Sequence, residues 1–171
     1  APEADLYYIA TARGGNGEDF TYLARGIQRI LEVNEQLPSE RKIRVISMQI
    51  GWGEDVKGYD ELEAAVEEAK SAGMLIVCSS IERIHGFKFH GLGRSPMEDP
   101  DSFESYEPGM FWAKNFYAGE FRPSDRLLVP MDSRTTASPT CISEYVFYRE
   151  GGWSWSIPYI AGLYALAAQV D

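Results

Sequence analysis

Residues 43–78 read IRVISMQIGWGEDVKGYDELEAAVEEAKSAGMLIVC, and this stretch decides the fold. Ile43 to Ile50 is an apolar run of strand length, closed by the turn Gly51-Trp52-Gly53. A run with so little alternation suits a strand buried on both faces. Asp60 and Glu63 stand at the spacing of a capping box, which satisfies backbone N–H groups at a helix start. Behind them Leu62, Ala65, Val66 and Ala69 recur on one helical face, and Gly73 stops the helix. Met74 to Cys78 is a further buried strand. Strand, helix and strand in this order predict a parallel pair joined by a right-handed crossover.

The pattern extends upstream. Leu6-Tyr7-Tyr8-Ile9-Ala10 reads as a buried strand and Gly14-Gly15-Asn16-Gly17 as a loop. Phe20, Leu23, Ala24, Ile27, Ile30 and Leu31 recur at helical spacing, which predicts a helix over residues 19–34. The class is therefore α/β, with a parallel sheet and helices on its faces. Downstream, residues 80–125 lose all periodicity and carry both histidines, His85 and His90. So long a structureless stretch is a warning sign against the element assignment unless it is functional. Leu127-Leu128-Val129-Pro130 is another short strand, and Tyr145-Val146-Phe147-Tyr148 pairs as a hairpin with residues around Ala137. The longest apolar segment, Ile157 to Val170, follows where a core helix would sit.

The chain has 171 residues, enough for one domain with a sizeable core, and residues 1–171 are read as a single domain. Its formal net charge is -10, with no cluster of Lys and Arg, which argues against nucleic acid as a partner. Two cysteines make no disulfide framework, and Cys78 reads as a small buried hydrophobe. No apolar run is long enough to span a membrane, so no membrane partner is expected. The chain carries no recognisable signal peptide, which favours the cytoplasm over secretion without settling the compartment. Asp99, Asp101 and Glu104 lie close together but read as an acidic loop, so no metal site is assigned.

The chemistry concentrates in Gly152-Trp153-Ser154-Trp155-Ser156-Ile157-Pro158-Tyr159-Ile160-Ala161-Gly162. A nucleophile elbow, Gly-x-Ser-x-Gly, needs glycine where Ser156 stands, and a strand running straight into the turn. Here Glu150-Gly151-Gly152 intervenes after the strand. As a helix start, Ser154 or Ser156 serves as N-cap, with Pro158 in the first turn where its missing N–H is harmless. A helix N-terminus is also where an oxyanion is stabilised, so capping and catalysis are compatible.

This segment resembles the serine motif of the subtilisin-like serine proteases, Gly-Thr-Ser-Met-Ala-x-Pro-His-Val-Ala-Gly. Glycine, serine, proline and the final Ala-Gly stand in register. The resemblance runs the length of the chain. Ala1-Pro2-Glu3-Ala4-Asp5-Leu6-Tyr7 is similar to Ala-Pro-x-Ala-x-Leu-Tyr, and Val45 to Gly51 is similar to Val-Ile-Asn-Met-Ser-Leu-Gly. Gly73 to Ser80 parallels the next strand, which in the family ends in Gly-Asn, and Leu128-Val129-Pro130 resembles the Val-Ala-Pro-Gly segment.

The resemblance implies a three-layer α/β/α fold with a mostly parallel sheet, subtilisin-like, lacking the N-terminal strand and the histidine helix. It implies a serine endopeptidase, or the Ser-bearing fragment of one, with Ser154 as nucleophile. Gln49, Ile50 and Gly51 match the strand that pairs with substrate backbone, and Ser79 and Ser80 the opposite wall of the specificity pocket. Trp52 stands at the strand exit, where it either narrows that pocket or covers the sheet edge. Gly14 to Gly17 matches a glycine-rich loop bordering the cleft. The family's Asp and His motifs precede the segment at which this chain opens, and neither His85 nor His90 stands in the matching place. A serine hydroxyl without a general base is a poor nucleophile, so the chain alone is expected to be nearly inactive.

The oxyanion-hole Asn of the family falls at Glu82, preceded by Ile81 where the family has glycine. A carboxylate does not donate and repels the developing oxyanion. Losing such a donor costs roughly 10²–10³ in kcat, a magnitude that itself comes from a subtilisin. Arg83 next door carries a charge of the right sign. Calcium is common in the family, but no cofactor is expected and no site is identified here. The expected partners are a peptide or protein substrate, the missing N-terminal segment, and another copy of the chain through exposed sheet edge. The rival expectation is a pseudoprotease acting as a binding or regulatory module, which Glu82 favours.

Overall fold

The computed structural model describes residues 4–11, 19–110, 113–114 and 126–170. The described residues form an α/β structure with mixed sheet topology and four α-helices of five residues or more. They group into two compact units, residues 1–80 with 161–171 and residues 81–160.

In the first unit, helix α1 (Thr21–Gln36) is followed by strand β1 (Val45–Met48), helix α2 (Tyr59–Ser71) and strand β2 (Leu75–Cys78). β1 and β2 are parallel, with Val45 opposite Leu75 and Met48 opposite Cys78. The predicted face of α2, Leu62, Ala65, Val66 and Ala69, is buried together with Ile46 and Met48 of β1 and Ile76 to Cys78 of β2. α1 buries Ala24 and Ile27 and packs along α2. Burial of this apolar stripe supplies the driving force that the short strands lack on their own.

The helix ends have local causes. Asp19 accepts from the Thr21 N–H at 3.2 Å and from its hydroxyl at 2.6 Å, which holds the first turn of α1. The Lys57 ammonium 2.6 Å away, with the Thr21 bonds, lowers the Asp19 carboxyl to about 2. At the other end, the Leu37 N–H at 3.2 Å and Lys42 Nζ at 2.5 Å both donate to the Asn34 carbonyl. α2 does not start with the capping box read from Asp60 and Glu63: Gly58, at φ 82°, is its N-cap, with no side-chain bond there. Glu63 instead accepts from the Trp52 indole at 2.7 Å. α2 stops as expected. Gly73 has φ 81°, its N–H bonds the Lys70 carbonyl at 2.9 Å, and the Met74 N–H bonds the Ala69 carbonyl at 3.0 Å. That pair of bonds is a Schellman ending.

The expected strand at Leu6–Ala10 is absent: residues 4–11 have no strand structure, and Leu6 and Tyr8 are 92% and 86% exposed. Extended backbone becomes a strand only beside a hydrogen-bonding neighbour, and no described strand pairs with this run.

In the second unit, the stretch expected to be structureless contains helix α3 (Ile81–His85) and strands β3 (Lys88–Arg94) and β4 (Tyr106–Pro108). β3 is central, antiparallel to β4 and parallel to β5 (Arg126–Pro130). The hairpin is as predicted: β6 (Arg134–Ala137) pairs antiparallel with β7 (Tyr145–Tyr148), Ala137 opposite Tyr145. Helix α4 (Trp153–Ala167) follows and crosses from the second unit into the first at Ala161.

Candidate functional site

Ser154 is the second residue of α4 and is exposed, whereas Ser156, two residues on, is fully buried. Neither serine is the N-cap, contrary to expectation, because the helix begins at Trp153 and Gly152 precedes it. The Trp155 N–H donates to the Gly152 carbonyl at 2.9 Å. Pro158 is the sixth helical residue, a turn later than expected. Its ring removes the N–H that would bond the Ser154 carbonyl within the helix. The positive end of the helix dipole lies at Ser154, which favours negative charge there.

Three ring contacts pin the first turns of α4 to the strands around it. Trp153 meets Phe89 of β3 edge-on, with centroids 6.2 Å apart at 70°. Trp155 packs on Tyr148 of β7 at 4.7 Å. The Arg134 guanidinium of β6 lies over the Tyr159 ring at 4.8 Å, held by its bond to the Pro130 carbonyl at 3.0 Å. Ser154 is thus the exposed residue between two anchored tryptophans. Arg134 and Tyr159 lie too far apart in sequence for this cation–π pair to show there.

Glu82, in the first turn of α3, is exposed and forms an ion pair with Lys88 of β3 at 2.9 Å. A carboxylate held this way accepts and does not donate. His85 ends α3, and His90 lies in β3, 1% exposed. Both therefore sit on regular elements rather than in a loop. Burial, then the Arg126 charge, lowers the His90 pKa to about 4, so its imidazole is neutral at neutral pH.

The expected substrate-binding residues lie in the first unit. Gln49, Ile50 and Gly51 follow β1 and are exposed. Gln49 donates to the Ser47 hydroxyl at 2.8 Å. The structure brings this segment against Ser79 and Ser80. The Ser79 N–H donates to the Ile50 carbonyl at 3.1 Å, and the Trp52 N–H to the Ser80 hydroxyl at 3.3 Å. A Cβ on Gly51 would lie 3.1 Å from Ser80 Oγ and 3.2 Å from Ser79 Cβ, a close approach that glycine eases. Trp52 is 8% exposed, bonded to Glu63 and 6.4 Å from the Phe20 ring. Its indole is thus tied to α2 through Glu63 and lies beside the Phe20 ring. Gly14 to Gly17 lie outside the described residues.

The sequence reading did not single out Asp132 or Ser133. Both are buried, and Asp132 bonds the backbone just ahead of α4. An isolated Asp between a strand and a hairpin carries no periodic signal. Among the described residues no group of three or more His, Cys, Asp or Glu is placed to hold a metal ion, and no helix is long and apolar enough to cross a membrane. No protein-family model, no curated protein and no solved structure matches this chain.

Proposed function

We propose that this chain is the serine-bearing part of a subtilisin-like serine endopeptidase, with a three-layer α/β/α fold completed by an upstream segment. The observation that carries the reading is the exposure of Ser154 at the positive end of α4, between two anchored tryptophans, in the motif that resembles the family's. Ser154 Oγ bonds to the carbonyl carbon of a peptide. Its proton passes to an upstream histidine, oriented by an upstream aspartate, and then to the departing amine as the C–N bond breaks. Water adds to the resulting ester, and its proton returns through the same base to Oγ as the acid product leaves. The parallel β1–β2 pair and the exposed Gln49-Ile50-Gly51 segment support a backbone-pairing strand for the substrate. The Glu82–Lys88 pair supports a second reading, a pseudoprotease that binds peptides without cleaving them.

The test is hydrolysis of an unfolded protein such as casein by the full-length chain, by its Ser154→Ala variant, and by residues 1–171 alone. The peptidase reading expects cleavage by the first only. A folded full-length chain that binds the protein and leaves it intact supports the pseudoprotease instead.

A further inference from the structure

Asp132 is the one carboxylate buried among the described residues, at 3% exposure. Its Oδ1 accepts the Gly151 N–H at 2.7 Å, and its Oδ2 accepts the Met110 N–H at 2.7 Å. Burying a carboxylate is costly, and these two short bonds offset the cost. An amide in its place has one acceptor oxygen for two N–H donors. The chain also closes tightly round it. A Cβ on Gly93 would lie 2.9 Å from Asp132 Oδ2, one on Gly109 would lie 2.7 Å from the Gly91 carbonyl, and one on Gly151 would strike the Met131 carbonyl. Next door, Ser133 takes φ 53°, donates its N–H to the Arg149 carbonyl at 3.0 Å and its hydroxyl to the Arg94 carbonyl at 2.7 Å. Residues 131–133 therefore tie the end of β3, the exit of β4 and the approach to α4 at one point.

That approach is Gly151-Gly152, two residues with the widest backbone freedom, immediately before Trp153. A helix entered through two glycines needs an outside hold to start in one place. We infer that Asp132 is a positioning residue for Ser154: through the Gly151 N–H it fixes where α4 begins, and through the Met110 N–H it couples that start to the exit of β4. The consequence for catalysis rests on the peptidase reading, while the positioning itself rests on the geometry alone. A reacting hydroxyl displaced by about 1 Å loses on the order of 10²-fold in rate.

The test uses the full-length chain, its Asp132→Asn variant, and Gly93→Ala, which crowds Oδ2 without removing the carboxylate. Fluorophosphonate inactivation is resolved into a binding constant and a maximal rate, with unfolding followed by circular dichroism and amide exchange read residue by residue. The expected result is a maximal rate lowered about tenfold to 100-fold in Asp132→Asn with probe binding unchanged, and a smaller loss in Gly93→Ala. Exchange is expected to speed up at Gly151, Met110 and the first turn of α4 only. A folded Asp132→Asn that reacts at the wild-type rate overturns the inference. If Asp132→Asn does not fold, Gly93→Ala decides, and wild-type rate and exchange in it overturn the inference. If the wild-type chain does not react, the peptidase reading fails by itself. Positioning is then judged by exchange, and unchanged protection at Gly151 and Met110 in Asp132→Asn overturns it.

Discussion

The β1–α2–β2 region and the region around Asp132 are built on different principles. In the first, apolar side chains at strand and helix spacing meet in a dry core: Leu62, Ala69, Ile76, Val77 and Cys78 are all 0% exposed. In the second, backbone groups meet a buried carboxylate and a left-handed serine, and glycines let the chains approach. The first region derives its stability from area removed from water. The second derives its geometry from a few directional bonds, each costly to leave unmade. Ser154 lies a few residues beyond Gly151, whose N–H the second region holds.

Mutation can break this contrast, most severely at the apolar core. Leu62→Ala removes a fully buried side chain of α2 and is expected to destabilise by about 4 kcal/mol in urea unfolding. An effect below about 1 kcal/mol would mean that this core is loosely packed. Asp132→Ala orphans two backbone N–H groups and is expected to cost about 3 kcal/mol, despite deleting a smaller and polar side chain. A neutral outcome would refute the account of the second region.

His90 gives a pH test of that same region. Its pKa is lowered from 6.5 to about 4 by burial and by the Arg126 charge, so the folded state keeps it neutral while the unfolded chain protonates near 6.5. The unfolded state then binds more protons, and stability falls as pH drops through this window, by about 2 kcal/mol between roughly pH 7 and pH 5. His90→Leu should flatten this part of the profile in a urea titration series; an unchanged slope would assign the acid sensitivity to other groups. Gly73→Ala should cost least. A Cβ there meets nothing within 4 Å, so only the φ of 81° is strained, at about 1 kcal/mol. A thermal melt that does not move would show that the Schellman ending is not strained by a side chain.

The two regions also differ in how far they can be read. The face of α2, its glycine stop, β1, β2 and the β6–β7 hairpin follow from period and turn residues, because apolar burial writes a repeating signal. β3 was invisible for a physical reason. Its run Lys88-Phe89-His90-Gly91-Leu92-Gly93-Arg94 holds two glycines, which weaken a strand pattern, and a Cβ on Gly93 would lie 2.9 Å from Asp132 Oδ2. The opposite error, a strand at Leu6–Ala10, came from apolar residues that are exposed. The helix start at the serine was misplaced for a third reason: glycine caps α4 while two serines stand just inside it, so the residue types favoured at a cap sit in the wrong positions. Ser154 stands out by its motif alone, whereas the buried carboxylate bonded to the Gly151 N–H has no local signature at all.

The most direct measurement is mass spectrometry of the folded full-length chain after treatment with a fluorophosphonate, with the adduct mapped to a residue. The account predicts a single adduct on Ser154, lost in Ser154→Ala and unaffected by Ser79→Ala or Ser80→Ala. An unmodified Ser154 in a folded chain, or an adduct on another serine, would contradict it.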